Sequence, residues 1–89
     1  MLSEDEYAYI LASRRRQDII YVLGEISATS EEIAAATGAG PSYIGIVASD
    51  LTKKGYISHN NKKPGKLYSL EDKGKEAYQK LKDYYGIDR

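Results

Sequence analysis

The chain has no cysteine. Disulfides, thiolate zinc sites and cysteine nucleophiles are therefore excluded together, and a reducing compartment fits. It has one histidine, His59. With no thiolate beside it, a metal site is not expected. Its expected place is solvent at a strand end, or a phosphate contact. No apolar run approaches the roughly 20 residues that span a bilayer. The start MLSEDEYAYILASRRR is acidic first and basic later, the wrong order for a secretory signal. These absences lead to the expectation of a soluble cytoplasmic protein with no membrane partner. Excess charge is also missing. Thirteen basic and 13 acidic residues give a formal net charge of zero, so whole-chain charge offers no argument for nucleic acid. Phenylalanine and tryptophan are absent too, and nine tyrosines supply all the aromatic surface.

What is present points to one small globular domain over residues 1–89. Hydrophobic residues make up 42% and charged residues 29% of the chain. This length is near the lower limit for a self-sufficient core, so added burial in a homodimer is an open expectation. Charge is segregated along the chain. Residues 25 to 50 hold Glu25, Glu31, Glu32 and Asp50 and no base. Residues 52 to 68 hold Lys53, Lys54, Lys62, Lys63 and Lys66 and no acid. Arg14, Arg15 and Arg16 form a second basic block.

The element order follows from local signals. Ser3 with Glu6 is a capping box that opens a helix over about residues 4–12, with Tyr7, Ile10 and Leu11 on one side. Ser13 caps a second helix, about 14–24, whose inner residues are Ile19, Ile20, Val22 and Leu23; one bent helix is the alternative. Thr29 with Glu32 opens a third, about 30–37. There Ile33, Ala34 and Thr37 face inward, and the alanines at 34 to 36 admit a close neighbour. Gly38 ends it, and Pro41 starts a fourth helix over about 41–54. Ile44, Val47, Ala48 and Leu51 share one side of that helix, while Ser42, Ile46, Ser49 and Lys53 lie opposite. After Gly55 the pattern turns to strand, giving a hairpin over about 56–70 with a polar, basic tip. A last helix, about 71–85, carries Gly74, Ala77, Tyr78, Leu81 and Tyr85 on one arc. The fold class is α+β and mainly helical. It is a winged helix-turn-helix with a two- to three-stranded β-wing and a C-terminal helix.

ILASRRRQDIIYVL, TSEEIAAATG, YIGIVASDLTKKGYI and KLYSLEDKGKEAYQKLK, in that order, resemble archaeal winged-helix transcriptional regulators of the MarR/ArsR type. Ile44, Ala48 and Leu51 hold the apolar positions that precede the closing glycine, Gly55, in that pattern. The resemblance covers about residues 10 to 82. It implies a DNA-binding regulator, dimeric, with helix 41–54 in the major groove and the wing on the phosphate backbone or minor groove. Two features depart from it. The outward face of helix 41–54 has no arginine, and Glu71 stands where threonine or serine usually caps the final helix.

Candidate site residues follow. On the recognition helix they are Ser42, Tyr43, Ile46, Ser49 and Lys53. Hydroxyls discriminate bases poorly, and Ile46 suits a thymine methyl. Asp50 either pairs with Lys53 or Lys54 one turn on, or accepts from a cytosine amino group. On the wing the candidates are Asn60, Asn61, Lys62, Lys63 and Lys66, phosphate contacts or simply a charged edge. Arg14, Arg15 and Arg16 either reach the DNA backbone or pair with Glu4, Asp5 and Glu6. Tyr7, Tyr78, Leu81, Tyr84 and Tyr85 are the candidates for a dimer interface, against packing within one protomer. No nucleophile–base set, paired carboxylates or phosphate loop is evident, so neither an enzyme nor a cofactor is expected. The competing reading is a winged helix for protein contact, anchored on Ile46 and Tyr43.

Overall fold

The structure is a computed structural model describing residues 1–60 and 65–86. In chain order the elements are α1 (Glu4–Leu11), α2 (Arg14–Glu25), α3 (Ser30–Thr37), α4 (Pro41–Lys53), β1 (Ile57–Asn60), β2 (Leu67–Leu70) and α5 (Asp72–Tyr85). Local chemistry sets the helix starts. The Ser3 hydroxyl accepts from Glu6 N–H at 3.1 Å, and the Glu6 carboxylate accepts from Ser3 N–H at 2.9 Å. Thr29 and Glu32 make the same reciprocal pair at 3.2 and 2.9 Å. Each pair satisfies amides that the first helical turn leaves without partners. Ser13 is extended and accepts from Arg16 N–H, so α1 and α2 are separate helices rather than one bent helix. Glu71 precedes α5 without a side-chain cap, as its departure from the usual threonine or serine implies.

α4 ends in a Schellman motif. Gly55 takes φ 84°. Its N–H donates to Thr52 O at 3.1 Å, and Tyr56 N–H donates to Leu51 O at 3.0 Å. That turn drives Tyr56 into the core, where it is 1% exposed and the largest of the fully buried side chains. Around it lie Ile10, Ile19, Ile20, Ile33, Ile44, Leu51, Ile57 and Leu81, drawn from all five helices and β1. In α3 only Ala34 of the three alanines is buried; Ala35 and Ala36 are exposed, so the expected close approach involves one methyl.

β1 and β2 are antiparallel, from Ile57 opposite Leu70 to Asn60 opposite Leu67. A third partner joins at one position. Ala28, in the connection between α2 and α3, donates to Tyr68 O at 3.1 Å and accepts from Tyr68 N–H at 2.9 Å. The wing is thus two-stranded with a one-residue third strand. Five helices around a two-stranded antiparallel wing make this a winged helix-turn-helix, with α3 and α4 as its helix pair.

Candidate nucleic-acid interface

α4 buries Ile44, Ala48 and Leu51 completely. At 100° per residue the opposite side must then face out. Ser42, Tyr43, Ile46, Ser49 and Lys53 are all exposed, with Ile46 at 69% and Tyr43 at 50%. This face borders an open cleft completed by Ser13 and Arg16 at the start of α2.

Asp50 lines the same cleft, but not in the way its neighbours in sequence suggest. Neither Lys53 nor Lys54 is within salt-bridge distance of it; its hydrogen-bond partner is the hydroxyl of Tyr9, from α1. A tertiary donor outcompetes two flexible lysines that reach water freely. This hydrogen bond, helped by the charges of Lys54, Arg16 and Lys53, holds the Asp50 carboxyl below its ordinary value. Burial, then the bond to Asp50, pushes the Tyr9 hydroxyl up to about 12.

The arginine block divides. Arg14 and Arg15 both pair with Asp18, at 3.3 and 2.8 Å, and not with Glu4, Asp5 or Glu6. The reason is register: Asp18 lies one turn along the same helix, whereas α1 is a separate helix. Arg14 borders a different groove, with Tyr21 and Tyr85. Arg16 turns towards α4. Its guanidinium lies 3.8 Å over the Tyr9 ring and donates to Tyr9 O at 2.7 Å. The three arginines therefore do not form one basic patch.

On the wing, Asn60 and Lys66 are exposed, at the end of β1 and just before β2. Asn61, Lys62 and Lys63 lie outside the described residues. His59 is exposed and sets its ring edge-on to Tyr68, its cross-strand partner.

The interface candidates separate by burial. Leu81 is 0% exposed and belongs to the protomer core, so it has no surface to offer a second copy. Tyr7 is half-buried and donates to Lys80 O at 3.2 Å. Tyr78 is half-buried too, bonded to Glu25 and edge-on to Tyr21. Tyr84 and Tyr85 are exposed, at 64% and 50%, and pack edge-to-face 5.0 Å apart. Tyr85 also donates to the buried Gln17 at 2.6 Å, a link across 68 positions that no local signal announces.

The Tyr9–Asp50 pair at this site and the Tyr78–Glu25 pair away from it set a pH response. Asp50, with its depressed carboxyl, contributes stability that is full above its ordinary value of 3.8 and is lost as the pH falls through the lower folded value. Tyr9 and Tyr78, raised from 10.0 to about 12, act in the opposite sense. Their contribution is full below pH 10.0 and is lost as the pH climbs towards 12. Tyr9→Phe removes one of the two raised hydroxyls and, with it, the hydrogen bond that chiefly lowers Asp50. Urea midpoints measured across both windows should fall less steeply in the variant than in the parent.

Solved structures share this fold. The chain superposes on the transcriptional repressor BigR from Xylella fastidiosa with a TM-score of 0.78 and 15% identity, covering 96% of this chain and 87% of that one. HlyU from Vibrio cholerae matches with a TM-score of 0.76 and 19% identity, over 97% and 99% of the two chains. A MarR/EmrR family transcriptional regulator from Acinetobacter matches with a TM-score of 0.76 and 22% identity, over 88% and 60%. The chain spans about half, 53%, of the Lactococcus lactis ZitR structures it matches. No protein-family model and no curated protein matches. The likeness is one of architecture: a winged helix like those of solved transcriptional regulators. Among the described residues no helix is long and apolar enough to cross a membrane, and no cluster of three His, Cys, Asp or Glu side chains is placed to hold a metal ion.

Proposed function

We propose that the protein is a DNA-binding transcriptional regulator. In this reading α4 enters the major groove through Ser42, Tyr43, Ile46, Ser49 and Lys53. The wing residues Asn60, Asn61, Lys62, Lys63 and Lys66 engage phosphates or the minor groove. The observation that carries the reading is the outward face of α4, solvent-exposed on a winged helix whose solved counterparts include a transcriptional repressor. Affinity comes chiefly from lysines, with Arg14, Arg15 and Arg16 as further DNA-backbone contacts whose charge Asp18 offsets only in part. The protein acts as a homodimer, with Tyr84 and Tyr85 as the exposed aromatic surface that a second copy covers.

A salt titration against pooled duplex fragments tests this. Binding should weaken steeply with salt, because each neutralised phosphate adds about −0.9 to the slope of log K against log salt. Replacing Lys62 and Lys63 with alanine together should reduce that slope by about 1.8 per protomer. No retention on any duplex at low salt would end the reading. The exposure of Ile46 and Tyr43 favours a second reading, a protein-contact module. In that case Ile46→Asp abolishes function while the double lysine variant leaves it intact.

A further inference from the structure

Asp50 presents a physical problem for a helix in a groove lined by phosphates. A lone carboxylate there is repelled, and on a freely rotating side chain it has no fixed direction. Both difficulties are met by residues outside α4. Tyr9 donates its hydroxyl to Asp50 Oδ2, so one carboxylate oxygen is tethered. Tyr9 is itself held on three sides. Its ring stacks on the buried Tyr56 at 5.7 Å and 20°. Arg16 covers the ring at 3.8 Å and binds its carbonyl oxygen, and Lys54 approaches it at 5.1 Å. The two cations offset the aspartate charge, while the chain from Asp50 through Tyr9 to Tyr56 ties its position to the core. The other oxygen, Oδ1, has no hydrogen-bond or ion-pair partner among the described residues.

We infer that Tyr9 and Arg16 are positioning residues that turn Asp50 into a fixed acceptor selecting cytosine in the major groove. This rests on the DNA-binding reading above. The selection follows from what each base shows there. Guanine presents two acceptors and thymine an acceptor and a methyl, and all of these reject a carboxylate. Adenine has an amino donor beside the N7 acceptor, and the acceptor opposes a group that cannot donate. Cytosine offers its amino donor with no acceptor of its own beside it. Ser42 and Ser49 discriminate weakly, so a fixed Asp50 adds a base preference that the hydroxyls do not supply. Its tether comes from 41 positions away.

Selection of binding duplexes from a randomised pool, followed by sequencing, tests this with the full chain and two variants. The unaltered protein should enrich cytosine at one position per half-site. Asp50→Asn should reduce that enrichment about tenfold and replace it with adenine, because an amide offers both a donor and an acceptor. Tyr9→Phe should relax the cytosine preference without shifting it to another base. It should also leave the salt slope of bulk binding unchanged, since no charge is altered. A purely structural Tyr9 would lower the denaturation midpoint and leave the base profile intact, and that result overturns the positioning role. Asp50→Asn lies on a half-exposed helix surface and retains an oxygen for Tyr9, so it tests the acceptor even if Tyr9→Phe folds poorly. An unaltered protein that binds duplex but shows no cytosine enrichment overturns the inference alone. One that binds no duplex overturns the DNA-binding reading and the inference with it.

Discussion

Gly74→Ala should destabilise the protein by about 3 kcal/mol or more, although it adds one methyl group. In a helix interior alanine is normally the better residue, by about 1 kcal/mol. Here the new Cβ would stand 2.1 Å from the carbonyl oxygen of Tyr56, 3.0 Å from Leu70 Cδ2 and 3.2 Å from Tyr56 C. The nearest obstacle is backbone, and that backbone is committed: Tyr56 O accepts from Glu71 N–H at 3.0 Å. Relief requires α5 to lift away from the turn that follows α4. Gly45→Ala is the internal control. That Cβ meets only Ser30 Oγ at 3.9 Å, so the substitution should stabilise by about 0.5–1 kcal/mol. Urea midpoints for the pair should move in opposite directions.

Tyr56→Ala is expected to cost about 3–5 kcal/mol, a large part of the 5–15 kcal/mol typical of a whole domain. The ring is fully buried, stacks on Tyr9 and lies 4.5 Å from the Lys73 ammonium. Its hydroxyl donates to Glu6 O at 2.7 Å, which ties α1 to the turn after α4. Truncation removes the packing and that link together. Tyr56→Phe keeps the ring and loses only the hydrogen bond, so about 1 kcal/mol is expected. Chemical denaturation of both variants separates the two contributions. If alanine and phenylalanine cost the same, the ring does not support the core as described.

The features legible in the sequence are the ones encoded over a few residues. Ser3 with Glu6, and Thr29 with Glu32, mark helix starts because donor and acceptor are three positions apart. Gly38 and Gly55 mark helix ends because both adopt positive φ. Helical periodicity alone separates Ile44, Ala48 and Leu51 from Ser42, Ile46 and Ser49, so the outward face of α4 is legible in the sequence. Partnerships between elements are not. Asp50 has lysines three and four residues on, and nothing local favours Tyr9 over them. The arginine run looks like one patch until the helix turns its members to different sides. Leu81 and Tyr85 share an arc of α5, yet one is fully buried and the other half exposed, because α2 covers only part of that arc. Gly74 could be placed on an inner face, but only the path of the chain at Tyr56 shows why it has to be glycine.

The single hydrogen-bonded pair between Ala28 and Tyr68 has a mechanical consequence. It makes β2 an inner strand at that point and fastens the wing just ahead of Thr29, the cap of α3. The hairpin is therefore anchored at the mounting of the helix pair as well as at its own base. Wing and helix pair thus share an attachment besides the turn that joins α4 to β1.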